Sequence, residues 1–404
     1  MNRRSRKICT GLISLTIILT IPFVFFPPAA LAIDYTFTTI DVPGATANWG
    51  AYGINDSGSI VGTYDDATGM HGFLYVGGSF TAIDVPSNGT TVARGINNSG
   101  SIVGTYGLEH GFLYAGGSFT TIDAPGNINW GAYGINDSGS IVGSYGDTPA
   151  RPGYLYEGGK YTPINVPGVV NWTVPTGINN CGSIVGTYEN SDEPGTHRGF
   201  LYVGGNFTLI DGPGAVGGTD VNGINDFGEI VGTYYDAAGY HPFLYAGGSF
   251  TTIDVPGAIY AGANGINNSG SIVGYYVDAN QVRHGFIATP ALKPVSIDIE
   301  PDHINPKSKG KIEVAILSTK EFDAPGMVDI ESLTFGRTGA EESLAFCDQK
   351  PKKVNHDKLK DLVCHFYTQD TGFQCGDTEG ILKGKTKDGT TIGGSDSIKI
   401  VPCK

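Results

Sequence analysis

Between residues 35 and 287 the chain alternates short apolar runs, rich in Val, Ile, Thr, Tyr and Phe, with polar breaks of Asn, Asp and Gly. Runs of that kind without helical periodicity predict strands joined by tight turns. The pattern also repeats. The triplet Gly-Ile-Asn begins at Gly53, Gly95, Gly134, Gly177, Gly223 and Gly265, at spacings of 42, 39, 43, 46 and 42. In the first copy it closes segment A (residues 51–55) and is followed by the turn Asp56-Ser57-Gly58 and segment B (59–64). A loop of variable length, segment C (71–75), the link Gly77-Gly78 and segment D (79–84) complete the unit. Four such segments predict an antiparallel four-stranded meander.

A unit of about 40 residues cannot bury both faces of its own sheet, so copies must stack, and radial stacking gives a β-propeller. The array starts with a D-type segment (35–41), and its last copy stops after a C-type one (284–287). Six complete sets result only if the N-terminal strand completes the last. The expected fold is therefore all-β: a six-bladed β-propeller of four-stranded blades closed by the N-terminal strand, a device that removes open sheet edges.

Residues 1–32 read differently. Arg3, Arg4, Arg6 and Lys7 precede an apolar run from Ile8 to Phe26, and Pro27-Pro28-Ala29-Ala30-Leu31-Ala32 follows. This is the pattern of a signal peptide cleaved after Ala32. The expected mature chain is secreted, extracellular or periplasmic, with no membrane association after cleavage. The expected domains are 1–32 signal peptide, 33–290 propeller and 291–404 a second domain. The boundary is one of charge: residues 33–290 hold 5 basic and 21 acidic residues, and residues 291–404 hold 16 and 18. Strand candidates at 295–299, 311–317, 361–367 and 397–401 predict a small β-sandwich-like fold there.

Composition narrows the function classes. Charged residues reach only 16% while hydrophobic ones hold at 40%, which excludes a disordered chain. The net charge of −14 repels phosphate backbones, so nucleic acid is excluded as a partner. The second domain carries Cys347, Cys364, Cys375 and Cys403; in an exported chain these predict two disulfides, with three connectivities open. Cys181 is left over and reads as a free thiol.

The six copies, with Gly-Ile-Asn, Ile-Val-Gly and motifs such as His71-Gly72-Phe73, resemble the HAF-type repeat of bacterial secreted proteins over residues 35–287. That resemblance implies export and a repeat scaffold, and no established reaction. The second domain resembles a C-terminal module of bacterial exported proteins through Asn305-Pro306-Lys307-Ser308-Lys309-Gly310, Val314-Ala315-Ile316-Leu317 and Asp361-Leu362-Val363-Cys364-His365-Phe366. Relatives of the module often carry a calcium-type loop. Here Lys353 replaces its first acid and Lys358 its turn glycine, so a plain solvated turn is expected.

The A–B and C–D connections hardly vary, whereas D–A and B–C connections vary and should emerge on one face. Binding residues favour variable loops on a rigid scaffold. Trp49, Trp130 and Trp172 lie four or five residues before a Gly-Ile-Asn glycine, and Tyr260 takes the like place in the sixth copy. Arg94 and Asp220 replace the aromatic in the second and fifth. With Tyr52 and Tyr133 these are the candidate ligand-binding residues, suited to stacking on a sugar or anchoring a protein. The competing reading makes the tryptophans a core plug in the channel.

The B–C acids Asp65, Asp66, Glu109, Asp147, Glu189, Asp192, Glu193, Asp236 and Asp278 read as a solvated rim. His71, His110, His197, His241 and His284 lie on C segments, about 10 Å outboard of A at ordinary strand spacing, and read as inter-blade packing groups rather than metal ligands. The repeated Asp41, Asp84, Asp123, Asp211 and Asp254 read as turn acceptors.

No local catalytic motif is present, so no catalytic residue, metal or cofactor is assigned. The expected function is an exported binding or adhesion protein recognising a glycan or extracellular protein through its loop face. The alternatives are a polysaccharide-active hydrolase or lyase using carboxylates of that face, and a structural envelope or surface protein without a small ligand.

Overall fold

The computed structural model describes residues 34–402 except 87–88, 108, 126–128, 147–150, 170, 190–194, 356 and 388. The predicted signal peptide and Cys403 lie outside the described residues. The chain divides into two compact units, one spanning Tyr35–Thr289 and the other Pro290–Lys404.

The first unit is all-β and repeats one antiparallel four-strand sheet six times, the fourth and fifth copies being joined into one eight-stranded sheet by the parallel pair His197–Gly218. In the first sheet Ala47–Ile54, Ile60–Asp66, Gly69–Val76 and Ser79–Ile83 follow one another in space as in sequence. In the sixth, Ala258–Ile266, Ile272–Asp278 and Arg283–Pro290 are joined by Tyr35–Ile40, which lies beside Arg283–Pro290. Phe37 packs against Phe286 in that sheet, ring centroids 5.9 Å apart.

The repeated residues have physical reasons. In Ile-Val-Gly, Ile60 and Val61 are fully buried. A Cβ on Gly62 would come within 2.2 Å of the Gly50 carbonyl and 2.5 Å of the Phe73 ring, so only glycine lets the third strand's aromatic lie across the second. Gly104, Gly143, Gly186, Gly232 and Gly274 stand in the same relation to Phe112, Tyr154, Phe200, Phe243 and Phe286. In Gly-Ile-Asn the glycine allows inner strands to touch: a Cβ on Gly53 would sit 3.2 Å from the Gly95 Cα, and one on Gly265 would sit 3.4 Å from the Gly53 Cα. The residue before that glycine is extra in every inner strand, with the register shifting at Ala51/Gly53, Ala93/Gly95, Ala132/Gly134, Pro175/Gly177, Val221/Gly223 and Ala263/Gly265. A bulge of this kind re-aims a side chain. It places Tyr52, Arg94, Tyr133, Thr176, Asn222 and Asn264 at equivalent positions.

The sheets have two different ends. One carries the first-to-second strand turns. At the other the start of a third strand meets the start of the next sheet's inner strand, at Met70–Thr90, Arg151–Trp172 and His197–Gly218, so both kinds of variable loop gather there.

The second unit holds two four-stranded sheets. Lys293–Pro294, Thr391–Ser397, Glu379–Thr386 and Val328–Gly336 form one; Ile297–Glu300, Lys311–Ile316, Leu362–Tyr367 and Leu344–Cys347 form the other. Their buried faces share a core that includes Ile299, Val314, Phe335, Phe366, Leu382 and Ile392. The candidate strand at 397–401 divides: Thr391–Ser397 ends there, the Ile398 amide turns to the Thr378 carbonyl, and Lys399–Ile400 pairs with His303–Ile304. Of the three open connectivities, Cys347–Cys364 is present, joining residues opposed on adjacent strands with Cα atoms 3.9 Å apart. Cys375 is disulfide-bonded as well, and so is Cys181, which corrects its reading as a free thiol.

Candidate functional site

The turn end of the first unit is a hydrogen-bonded device. Asn55 accepts from the Ser59 amide and the Ser57 hydroxyl through Oδ1, closing its own turn. Its Nδ2 donates to the Asn97 carbonyl of the next sheet at 3.1 Å. The same link runs from Asn97 to Asn136, Asn136 to Asn179, Asn179 to Asn225, Asn225 to Asn267 and Asn267 to Asn55.

The following residue alternates: Asp56, Asn98, Asp137, Asn180, Asp226, Asn268. Each carboxylate accepts from the amide nitrogens of both flanking asparagines, so that Asp56, for example, takes Asn98 and Asn268 at 2.8 and 2.9 Å. Burial pushes the Asp56 carboxyl above its ordinary range, against those hydrogen bonds and with the Asp226 charge.

The residues line an open depression of about 70 Å³ formed by the six Ile-Asn-Asp or Ile-Asn-Asn triplets. Their bonds are spent on one another, and no group of three His, Cys, Asp or Glu among the described residues can hold a metal ion. Sequence reasoning treated these turns as minimal hairpins and missed the device. Its signal was the strict Asp/Asn alternation.

The predicted residues fall in two sets, one on the inner strands next to the turn end and one at the loop end. Tyr52, Arg94 and Tyr133 are at the bulge on neighbouring inner strands, with the Arg94 guanidinium 5.4 Å from the Tyr52 centroid and 5.1 Å from that of Tyr133. Arg94 therefore does not replace Trp49, as its place in the repeat first suggested; it is the counterpart of Tyr52, one residue before the glycine. Thr176, Asn222 and Asn264 fill the corresponding places and donate to the Val221, Ala263 and Ala51 carbonyls.

The second set is a file of rings and charged groups. Trp49 donates through Nε1 to Asp65 at 2.9 Å, and the Arg283 guanidinium lies 5.6 Å from its ring and 3.8 Å from Tyr275. Tyr275 meets Tyr260, Tyr260 meets Tyr240 and Tyr240 meets Tyr235, with centroids 6.4, 5.5 and 4.7 Å apart. The Tyr235 hydroxyl donates to Asp220 at 2.7 Å, Asp220 meets His197 at 3.2 Å, and His197 lies edge-on to Trp172. Burial, then the Asp220 carboxylate, raises the Tyr235 hydroxyl far above its ordinary range. The hydrogen bond to Asp220 comes first in raising His197, with burial opposing it. Trp49 and Tyr260 are each 37% exposed and Tyr240 is 50% exposed, so these rings are not a core plug. Val216, Ile259 and Val282 add exposed aliphatic surface beside them. The Trp130 side chain lies outside the described residues.

Two expectations about this end change. Four of the five histidines bond within their own sheet rather than between blades: His71 to Asp84 and Asp66, His110 to Asp123, His241 to Asp236, and His284 to Asp41. Asp41 and Asp123 also accept from the Gly285 and Gly111 amides, so they tie an outer strand to its neighbour instead of serving as turn acceptors. Asp65, Asp66 and Asp236 are thereby engaged rather than forming a free rim, while Asp147, Asp192 and Glu193 lie outside the described residues.

The arrangement is suited to recognition. It offers exposed ring faces, tyrosine hydroxyls and two arginines, Arg94 and Arg283, whose buried Nε atoms have no hydrogen-bond partner. A buried donor left unanswered costs about 1–3 kcal/mol.

No protein-family model matches the chain, and no curated protein does. Among solved structures, a chain of "Crystal Structure of Mitotic Checkpoint Complex" is 11% identical, covers 70% of this chain and 100% of its own, and gives a TM-score of 0.38. A chain of "Structural basis for Dscam isoform specificity" is 8% identical over 91% of this chain and 100% of its own, with a TM-score of 0.13. Likenesses this distant carry no argument about fold or function.

Proposed function

We propose that the chain is an exported binding protein of the HAF-repeat type. Its six sheets are the blades of a six-bladed β-propeller closed by Tyr35–Ile40, and it recognises a glycan or an extracellular protein through the loop end. One observation carries the reading: the file from Trp49 through Arg283, Tyr275, Tyr260, Tyr240 and Tyr235 to Asp220, His197 and Trp172, with its exposed rings. Aromatic residues and arginine are enriched in binding hot spots, and an exposed ring face takes the C–H face of a sugar. Export is supported by the leader pattern of residues 1–32 and the Cys347–Cys364 disulfide, a bond that persists in oxidising compartments.

The test is to probe arrays of extracellular glycans and surface proteins with the mature chain and with a Trp49→Ala, Tyr260→Ala double variant. The reading expects specific signal from the parent and at least a tenfold loss in the variant, the effect of losing about 1.4 kcal/mol from the two anchors together. Equal signal from both proteins contradicts it.

A further inference from the structure

The first unit is strongly acidic, with 20 carboxylates against 5 cations. In such a field a cation is expected to be paired, as Arg198 is with Asp211. Arg283 is not. Its side chain makes no ion pair or hydrogen bond with another described residue; its Nε is buried without a partner, and its guanidinium is clamped between Tyr275 at 3.8 Å and Trp49 at 5.6 Å. Asp65, on the far side of Trp49 in the file, accepts from the Trp49 indole. The guanidinium is thus held rigid by rings, beside exposed Trp49 and Val282, with its hydrogen-bonding capacity unused. A planar fork kept in place and unanswered suits a carboxylate, which it can bind through two parallel hydrogen bonds. Arg94 is similarly clamped, but it lies on an inner strand between half-buried Tyr52 and Tyr133, away from the exposed rings.

We infer that Arg283 is an anion-recognition residue of the loop end, and that the ligand it takes is a saccharide bearing a carboxylate. This rests on the binding reading above and names the ligand class for the same site. A saccharide is favoured over an acidic peptide because the file also offers exposed ring faces at Trp49, Tyr260 and Tyr240 for C–H stacking. The acids around the file disfavour dense negative charge, so the carboxylate is carried sparsely, at one sugar among neutral ones.

The experiment titrates the mature protein by calorimetry with three probes. They are a short galacto-oligosaccharide ending in one galacturonate, the same oligomer with that carboxylate reduced to the alcohol, and an oligoglutamate peptide of equal length. Each is repeated with Arg283→Gln, Arg283→Lys and Trp49→Ala, after circular dichroism has shown each variant folded. The inference expects the acidic oligomer to bind at least tenfold tighter than the reduced one, Arg283→Gln to abolish that difference, and Arg283→Lys to restore only part of it. Rising salt should weaken the acidic oligomer alone.

If both oligomers bind alike and both are weakened by Trp49→Ala, the aromatic reading stands and the carboxylate inference falls. If neither oligomer binds, the inference falls, and the binding reading then rests on the array result alone. Preference for the peptide overturns the saccharide assignment.

Discussion

The two ends of the six sheets use the same repeat for different purposes. At the turn end, six asparagines each close their own turn and donate to the next sheet, while three aspartates and three asparagines alternate so that every carboxylate faces two amides. Along the inner strands and at the loop end the equivalent positions diverge. Tyr52, Arg94, Tyr133, Thr176, Asn222 and Asn264 occupy one bulge site with four chemistries, and Arg283 keeps a buried donor unanswered. Repetition with every group satisfied is what a scaffold needs. Divergence with groups left over is what a binding surface needs, and a stored cost of that kind marks function more often than stability.

The largest way to break the comparison is to remove the strand that completes the sixth sheet. Deleting residues 33–40 strips Phe286 of its Phe37 contact and opens a sheet edge; loss of a cooperative thermal transition is expected in scanning calorimetry.

Gly62→Ala comes next. The new Cβ meets backbone at 2.2 Å, so relief by a side-chain rotation is blocked and about 3 kcal/mol should be lost in urea titration. Asn267→Ala removes the Asn55 link and strands its own turn amides, for about 2 kcal/mol by the same assay. Asp56→Asn sharpens the point. It relieves a carboxyl that burial has raised, yet it sets an amide donor against the Asn98 and Asn268 donors. The expected result is a net loss of about 1 kcal/mol rather than a gain.

The smallest effect is one of pH at the loop end. His71 is raised although burial opposes it, because Asp84 and Asp66 prevail; Asp66 is lowered, first by its Thr68 hydrogen bonds. A raised histidine contributes below its ordinary value of 6.5 and loses that contribution as pH rises through its folded value. A lowered carboxylate contributes above its ordinary 3.8 and loses it as pH falls through its folded value. The pair therefore acts between those limits, and melting temperature should fall slightly from mildly acidic to alkaline pH. His71→Gln should flatten that slope only slightly, because both acids are more than a third exposed and solvent screens the pair.

Much of this was legible before any coordinates. The six Gly-Ile-Asn triplets and the order of segments gave the strands to within a few residues, because a period-two pattern with glycine turns has few other solutions. The D-type start and C-type finish of the array anticipated that Tyr35–Ile40 lies beside Arg283–Pro290. In the second unit Val328–Gly336 and Glu379–Thr386 escaped notice. Their outward sides mix charged residues with Ile330 and Ile381, which blurs the alternation, and no repeat flags them.

At the site, Trp49, Trp172, Tyr260 and Asp220 were found from their place before the glycine. Tyr235, Tyr240, Tyr275 and Arg283 were not, because the second and third strands of neighbouring sheets bring them in, and sequence distance hides such neighbours. The turn-end carboxylates were overlooked for the opposite reason. Looking for chemistry discounts whatever repeats, and there the repetition itself was the structure.

Amide hydrogen exchange with and without the galacturonate-terminated oligomer tests the division of labour most directly. In the free protein, Asn55, Asn97, Asn136, Asn179, Asn225 and Asn267 should exchange slowly. Adding the oligomer should slow exchange only around residues 47–52, 258–262 and 283–285. Protection confined to the turns after Gly-Ile-Asn, or fast exchange there in the free protein, contradicts the account.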